Sequence, residues 1–213
     1  MRLQTQEPSP GLLIRVIINK LYTNTKDEVS MIFRTLDHWE EELWQKWQIV
    51  YDEAFDPKKA KSKKIIQNMF QKQTCYFHIA MDGSEIYAIA LSGKLPGTSL
   101  LLIDYFAVRG TKRNQGIGRL MLEYLEGWAI ESGQFDCLVI EVEAEQTEEN
   151  LARIQFWKKC GFNLTTYIHH YKVVPEPYQA LYRKVYPEAA IPDKEETFFQ
   201  YIGKFHRKSF QGI

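Results

Sequence analysis

Apolar residues recur at three- and four-residue spacing in four stretches and at every second position in several others. The chain therefore reads as amphipathic helices mixed with half-buried strands. Trp39, Leu43, Trp47, Val50, Tyr51 and Ala54 form the first helical stripe. Asp37 and Glu40 have capping-box spacing at its start, and Pro57 ends it. Residues 60–71 give a second helix with Ile65, Ile66, Met69 and Phe70 inward. Residues 74–81 and 84–92 read as strands joined by Asp82-Gly83, a strong hairpin signal. Pro96-Gly97 marks the next turn, and residues 99–108 form a third long strand of an antiparallel meander. The period then changes. Leu120, Met121, Tyr124, Leu125 and Trp128 share one face of a helix over 116–132, with Gly133 as its C-cap. A strand over 137–144, a helix over 148–160 closed by Gly161, and strands over 163–173 and 180–186 follow.

This order predicts an α+β single domain with a mixed central sheet of about six or seven strands and helices on both faces. The domain spans 30–186. Residues 1–29 read as an N-terminal extension, with a loop at Pro8 to Gly11 and a strand over 12–18. Residues 187–213 read as a polar C-terminal tail with a short helix around 195–205.

Composition narrows the function classes. Among 213 residues, 45% are apolar and 25% charged, which excludes a disordered chain, a collagen and a disulfide-stapled miniprotein. Lys+Arg and Asp+Glu are 27 each, so the basic surplus of a dedicated nucleic-acid binder is missing. Cys75, Cys137 and Cys160 include no CxxC pair and read as reduced thiols of a cytoplasmic protein. No apolar run is long enough to span a membrane. The apolar stretch over 11–21 is interrupted by Arg15, Asn19 and Lys20 and lacks a cleavage site, so it makes a poor signal peptide. The histidines show no HExxH spacing, so no metal site is expected, and no GxSxG elbow occurs.

The sharpest constellation is Arg113-Asn114-Gln115-Gly116-Ile117-Gly118, after a strand and before a helix. Such a loop aims unpaired backbone N–H groups at one point, and the helix dipole adds positive charge there. That suits a pyrophosphate. Arg113 and Arg119 add fixed charge, and side chains at Gly116 or Gly118 would hold a phosphate away or block the turn. The loop is neither GxGxxG nor Walker A, and a preceding meander strand argues against both nucleotide folds.

Residues 108–118 resemble the acyl-CoA loop of the GNAT superfamily of N-acetyltransferases, whose pattern is Arg or Gln, two residues, Gly, one residue, Gly or Ala. Asn150, Phe156-Trp157 and Gly161-Phe162 match the spacing of that family's Asn…Tyr…Gly-Phe helix. The resemblance covers residues 30–186 and implies acetyl-CoA as cosubstrate. It implies that Phe106, Ala107 and Val108 lie on a strand splayed from the 138–144 strand, with the pantetheine arm between them. The amides of Asn114 to Arg119 would hold the pyrophosphate, Asn150 would contact the arm, and the Val108 amide would donate to the oxyanion.

Carboxylates near the strand gap are Asp104, Glu141 and Glu143, each a candidate for the amine base or anchor. Period two places Asp104, Phe106 and Val108 on one face, and Glu141 with Glu143 on one face of the next strand. The alternative is that Glu141, Glu143 and Glu145 are a solvated strand face. Trp157 stands where the family usually has Tyr, and an indole is no proton source. Tyr171 and Tyr178 are the substitute candidates for the acid. Lys58, Lys59, Lys61, Lys63 and Lys64 read either as a solvated helix start or as a groove lining that attracts an anionic substrate. Trp39, Trp44 and Trp47 read as core. The expected function is an acetyl-CoA-dependent N-acetyltransferase acting on a small-molecule or peptide amine, with no nucleic-acid or membrane partner and a homodimer left open. The other reading, prompted by Trp157, is a catalytically silent CoA-binding sensor or partner module.

Overall fold

The computed structural model describes residues 20–23 and 30–212. The loop and strand expected within residues 1–18 lie outside them. The described residues form strands β1 (Lys20–Thr23), β2 (Ser30–Leu36), β3 (Tyr76–Asp82), β4 (Glu85–Lys94), β5 (Leu100–Val108), β6 (Cys137–Glu143), β7 (Asn163–Leu164), β8 (His169–His170) and β9 (Pro177–Lys184). The helices are α1 (Glu41–Ala54), α2 (Lys63–Gln71), α3 (Ile117–Ser132), α4 (Glu148–Lys159) and α5 (Glu196–Phe210). All nine strands join one sheet in the order β1-β2-β3-β4-β5-β6-β9-β7, with β8 on β9. Six of them are seven residues or longer. Among the described residues only β5 and β6 pair in parallel, so the sheet is mixed. No helix among the described residues is long and apolar enough to cross a membrane.

The sheet is buried on both faces. One face packs α1, α2 and α5 around Trp44, Trp47, Ile66, Met69, Phe77 and Phe198. The other packs α3 and α4 around Met121, Tyr124, Leu125, Trp128, Ile154 and Trp157. Gly116 and Gly133 bound α3 with φ of +80° and +62°, conformations that side chains resist.

Several expectations need correction. The capping box at Asp37 does not form. His38 binds Asp37 through Nδ1 at 2.9 Å and Glu40 through Nε2 at 3.0 Å, and α1 starts at Glu41 without a side-chain cap. Residues 60–62 precede α2 rather than belonging to it. The strand expected over 163–173 is broken. Thr165 bonds Ala180, and the Glu195 carboxylate takes the N–H groups of Thr166 and Tyr167 at 2.7 and 2.8 Å, which draws the chain off the sheet.

The largest difference lies at the C-terminus. The segment read as a polar tail ends in a fifteen-residue helix that buries Phe198, Phe199, Ile202 and Phe205 in the main core. Each buried aromatic contributes on the order of 2 kcal/mol, so α5 is an integral wall of the domain.

Candidate active site

β5 and β6 pair only from Leu100 to Leu102 and from Cys137 to Val139, and their C-terminal ends then diverge. The Arg109 N–H bonds Tyr87 on the β4 side. Alternation along the regular ladder therefore turns the N–H groups of Phe106 and Val108 the other way, into the opening toward β6. The opening widens into a groove of about 2100 Å³. Of the cofactor-binding candidates and the carboxylate and tyrosine candidates named from the sequence, all but Gln115 line it. Of the lysine run, Lys59 and Lys61 do, and Lys58, Lys63 and Lys64 do not. The Gln115 amide instead donates to the Thr111 carbonyl at 3.2 Å.

At one end of the groove lies the glycine loop. Asn114 and Gly116 both have positive φ, +61° and +80°, which curls the backbone so that successive N–H groups converge. Leu120 makes the first backbone bond of α3, to Gly116, leaving the amides of Ile117, Gly118 and Arg119 without helical partners. A side chain at Gly116 would meet nothing within 4 Å, so this spot opens onto the groove. A Cβ at Gly118 would lie 3.3 Å from Val108 and 3.4 Å from Phe156, so this glycine lets α3 approach β5 and α4. The Arg113 Nε donates to the Val108 carbonyl at 3.2 Å, and Arg119 pairs with Glu123. Asn150 is buried: its backbone N–H caps onto Thr147, and its side chain donates to the Glu145 carbonyl at 3.3 Å. Trp157 is packed edge-on against Phe106, Phe156 and Phe162, with ring centres 5.1 to 5.2 Å apart.

At the other end the carboxylates part company. The ladder of β4 and β5 shifts register between Leu91 and Ser92, where Asp104 is the extra residue on β5. The bulge flips the alternation. Leu100 and Leu102 before it, and Ala107 after it, all belong to the α1, α2 and α5 face. Asp104 turns to that face as well, so it does not share a side with Phe106 and Val108 as the simple period predicts. It grips Lys61, with both carboxylate oxygens 2.8 Å from Nζ. The side chains are 6% and 4% exposed. Burial works to lower the Lys61 ammonium's pKa, but the Asp104 charge outweighs it and holds the value above the usual one. The lysine run is therefore not a uniformly solvated helix start: Lys61 is buried, Lys59 pairs with Glu176 and Lys63 with Glu41.

Glu141 is no solvated strand residue either. Its side chain is 18% exposed, and it accepts hydrogen bonds from His206 Nε2 at 2.7 Å and from the Tyr171 hydroxyl at 2.6 Å. Burial pushes its carboxyl up, yet His206, Tyr171 and Lys61 together hold it below its usual value. Glu143 is half-buried on the same side. Tyr171 is pushed far up by burial and by Glu141, and Tyr178 to about 12 by burial and by Glu143 and Glu141.

Two site residues were not singled out as such in the sequence. Lys61 hides in a run of lysines that gives no signal for one being buried. His206 follows Phe198, Phe199, Ile202 and Phe205, whose helical spacing marks a packed face and would have placed the next residue at its edge. Among the described residues no cluster fit to hold a metal ion occurs.

No curated protein matches the chain. A family model described as the Acetyltransferase (GNAT) family matches residues 36–162. Among solved structures, a GNAT-family protein from Desulfovibrio desulfuricans superposes with a TM-score of 0.60 at 16% identity, covering 74% of this chain and all of that one. The ribosomal-protein-S18-alanine N-acetyltransferase from Escherichia coli gives 0.55 at 18%, covering 76% of this chain and 98% of that one. An aminoglycoside 6'-N-acetyltransferase solved with coenzyme A gives 0.60 at 13%, covering 75% and 99%. At these identities the likeness is one of fold.

Proposed function

The chain belongs to the GNAT family of acetyltransferases, and from that premise we propose that it transfers acetyl from acetyl-CoA directly to a primary amine held in the same groove. The observation that carries the proposal is the single opening between β5 and β6, with converging amides at one end and an ionised, partly exposed Glu141 at the other. The residues present fit acetyl-CoA: Gly116 leaves its cradle open, and α3 presents unpaired amides to an anion.

Acetyl-CoA supplies the acetyl group as an activated thioester. The amides of Ile117, Gly118 and Arg119 bind the pyrophosphate, with Arg113 and Arg119 adding positive charge. The edge of β5 at Phe106 and Val108 offers backbone groups to the pantetheine arm. Asn150 fixes the start of α4 beside it, and Trp157 packs edge-on against Phe106. The Val108 N–H donates to the oxygen that gathers negative charge during transfer. Glu141 attracts the ammonium of the acceptor and takes its proton as the nitrogen becomes nucleophilic. Glu143 adds negative charge on the same side. Asp104 is committed to Lys61 and is the weakest of the three candidates for this role. Tyr171 and Tyr178 both hold their protons tightly, which supports departure of sulfur as a thiolate, since a thiol is ordinarily a stronger acid than a phenol.

The test is thiol release across a panel of small amines and peptides. With an accepted amine, Glu141→Gln is expected to lower kcat/KM by about 10²-fold or more, with CoA affinity kept. A Glu141→Gln variant of undiminished activity refutes the assignment of the base. Trp157, in place of a phenol, favours one other reading, a CoA-binding module without turnover. Tight acetyl-CoA binding with no thiol release for any amine would establish it.

A further inference from the structure

Glu141 is gripped by groups from separate parts of the chain. His206 reaches it from α5 and Tyr171 from the segment after β8. Behind His206 stands the buried Lys61, whose Nζ lies 3.2 Å from the ring's Nδ1. An ammonium has three hydrogens to donate and no lone pair to accept with. Two contacts go to the Asp104 oxygens, each 2.8 Å away, and the remaining one goes to His206. Nδ1 must therefore accept, which leaves it bare and puts the ring proton on Nε2. That proton points at Glu141 Oε1 across 2.7 Å.

We propose that His206 is a positioning residue: Lys61 locks it in the Nε2–H tautomer, and in that form it aims the Glu141 carboxylate at the acceptor amine. The inference rests on the reading of Glu141 given above. With Oε1 held by His206 and Oε2 by Tyr171, the carboxylate cannot rotate, yet each oxygen keeps a lone pair for the groove. The arrangement follows the logic of a buried residue fixing the tautomer of an imidazole that in turn orients a reacting group. It gives α5 a task. The family match ends at residue 162, whereas α5 runs over Glu196–Phe210 and is anchored by Phe198, Phe199, Ile202 and Phe205. The orienting group is thus supplied by a helix outside the matched segment.

The charge environment of Glu141 is set from every side. Lys61 approaches from ahead of α2, and Asp104 from β5. Glu143 lies on its own strand and Tyr178 on β9. His169 and Tyr171 stand next to each other, with ring centres 4.4 Å apart, and His206 completes the set from α5. Of these, His206 and Tyr171 donate hydrogen bonds to the carboxylate.

The experiment compares the full chain with His206→Gln, His206→Leu and Lys61→Met. Nitrogen NMR of the imidazole reads the tautomer without substrate. At neutral pH the full chain is expected to show Nε2–H for His206, and Lys61→Met is expected to lose that preference. An Nδ1–H tautomer in the full chain overturns the proposal, whatever the activity. With an accepted amine, His206→Leu is expected to lower kcat by about 10-fold or more while the Kd for CoA stays the same. The acid limb of kcat/KM should move to higher pH, because burial of Glu141 is then less opposed. His206→Gln, whose amide can still donate to Oε1, should recover most of the loss. Unchanged kcat and pH profile in His206→Leu overturn the proposal. So does a loss that Gln does not rescue and that leaves the acid limb in place, which would mark a packing role. Absence of transfer by the full chain would instead defeat the transferase reading, and the tautomer would still judge the lock.

Discussion

Gly116 offers the sharpest test of the phosphate cradle, because the structure separates two effects that a single substitution would confound. Its φ of +80° is a conformation that alanine resists, at a cost of about 1–2 kcal/mol. Aspartate tolerates the same region better, so its strain is smaller. A side chain there meets nothing within 4 Å and projects into the groove where the pyrophosphate is proposed to sit. A carboxylate near a phosphate at about 4 Å is repelled by about 1 kcal/mol in water and about 4 kcal/mol at a protein surface. Gly116→Ala should therefore lose more stability than Gly116→Asp, and Gly116→Asp should lose more CoA affinity, at least about 10-fold or about 1.4 kcal/mol. Gly118→Ala is a useful third variant. Its Cβ presses Val108 at 3.3 Å and Phe156 at 3.4 Å, so it disturbs the seating of α3 without adding charge. Melting temperature without ligand and calorimetry with CoA give the two rankings. Gly116→Asp binding CoA as tightly as Gly116→Ala would refute the placement of the phosphates.

Three further outcomes are expected. Asp104→Asn leaves the Lys61 ammonium buried without its counter-charge, which costs about 3–5 kcal/mol. Its melting temperature should fall by about 10 °C, and a large loss of rate at unchanged stability would instead identify Asp104 as the base. His78 is fully buried between Thr35 and Ser92, and burial lowers its pKa to about 3 from an ordinary 6.5. The unfolded state then binds the extra proton between these values, so stability falls as pH drops below 6.5, by about 2 kcal/mol at pH 5. Urea midpoints at pH 7 and pH 5 in the parent and in His78→Gln check this; equal pH dependence in both would exclude His78 as its source. Trp157→Tyr leaves a cavity among Phe106, Phe156 and Phe162 costing about 1–2 kcal/mol. Its kcat should hold while the melting temperature falls; a rise of about 10-fold would show that a missing acid limits the reaction.

The helical stripes and the hairpin were legible because their signals are local. Gly116 and Gly133 announced both ends of α3, and Asp82-Gly83 announced the β3–β4 turn. The bulge at Asp104 was not legible. Leu100 to Ile103 are apolar without a break and buried on both faces, so nothing in the period marks where one extra residue enters. The break after β7 depends on a carboxylate from Glu195, about thirty residues downstream, and no local pattern carries it. The C-terminal helix was legible in outline and undervalued. Its charged residues, Glu196, Lys204, Arg207 and Lys208, suggest a tail, while its four buried apolar residues at helical spacing dock it. The site divided in the same way. The glycine loop is one continuous segment and could be read from it, whereas Lys61, Asp104, Glu141, Tyr171 and His206 come from five separate segments.

The bulge also explains how one strand serves both ends of the groove. A regular β5 would put Asp104, Phe106 and Val108 on one side, and the carboxylate would then turn toward the face that carries the rings of Phe106, Phe156 and Trp157, away from Lys61. An unpaired charge in such surroundings costs several kcal/mol. With the extra residue, Asp104 falls on the face where Lys61 can neutralise it, and Phe106 remains on the face where Trp157 packs. The same irregularity bends β5 and increases its twist just beyond Leu102, where pairing with β6 ends. The separation of the strands and the separation of polar from apolar chemistry across the sheet therefore have one local cause. Lys61, once drawn to Asp104, has a third hydrogen to place, and His206 is the acceptor within reach. The buried pair is then more than a cost of the fold. It is the fixed point from which the orientation of Glu141 follows, through a ring whose proton has only one nitrogen left to occupy.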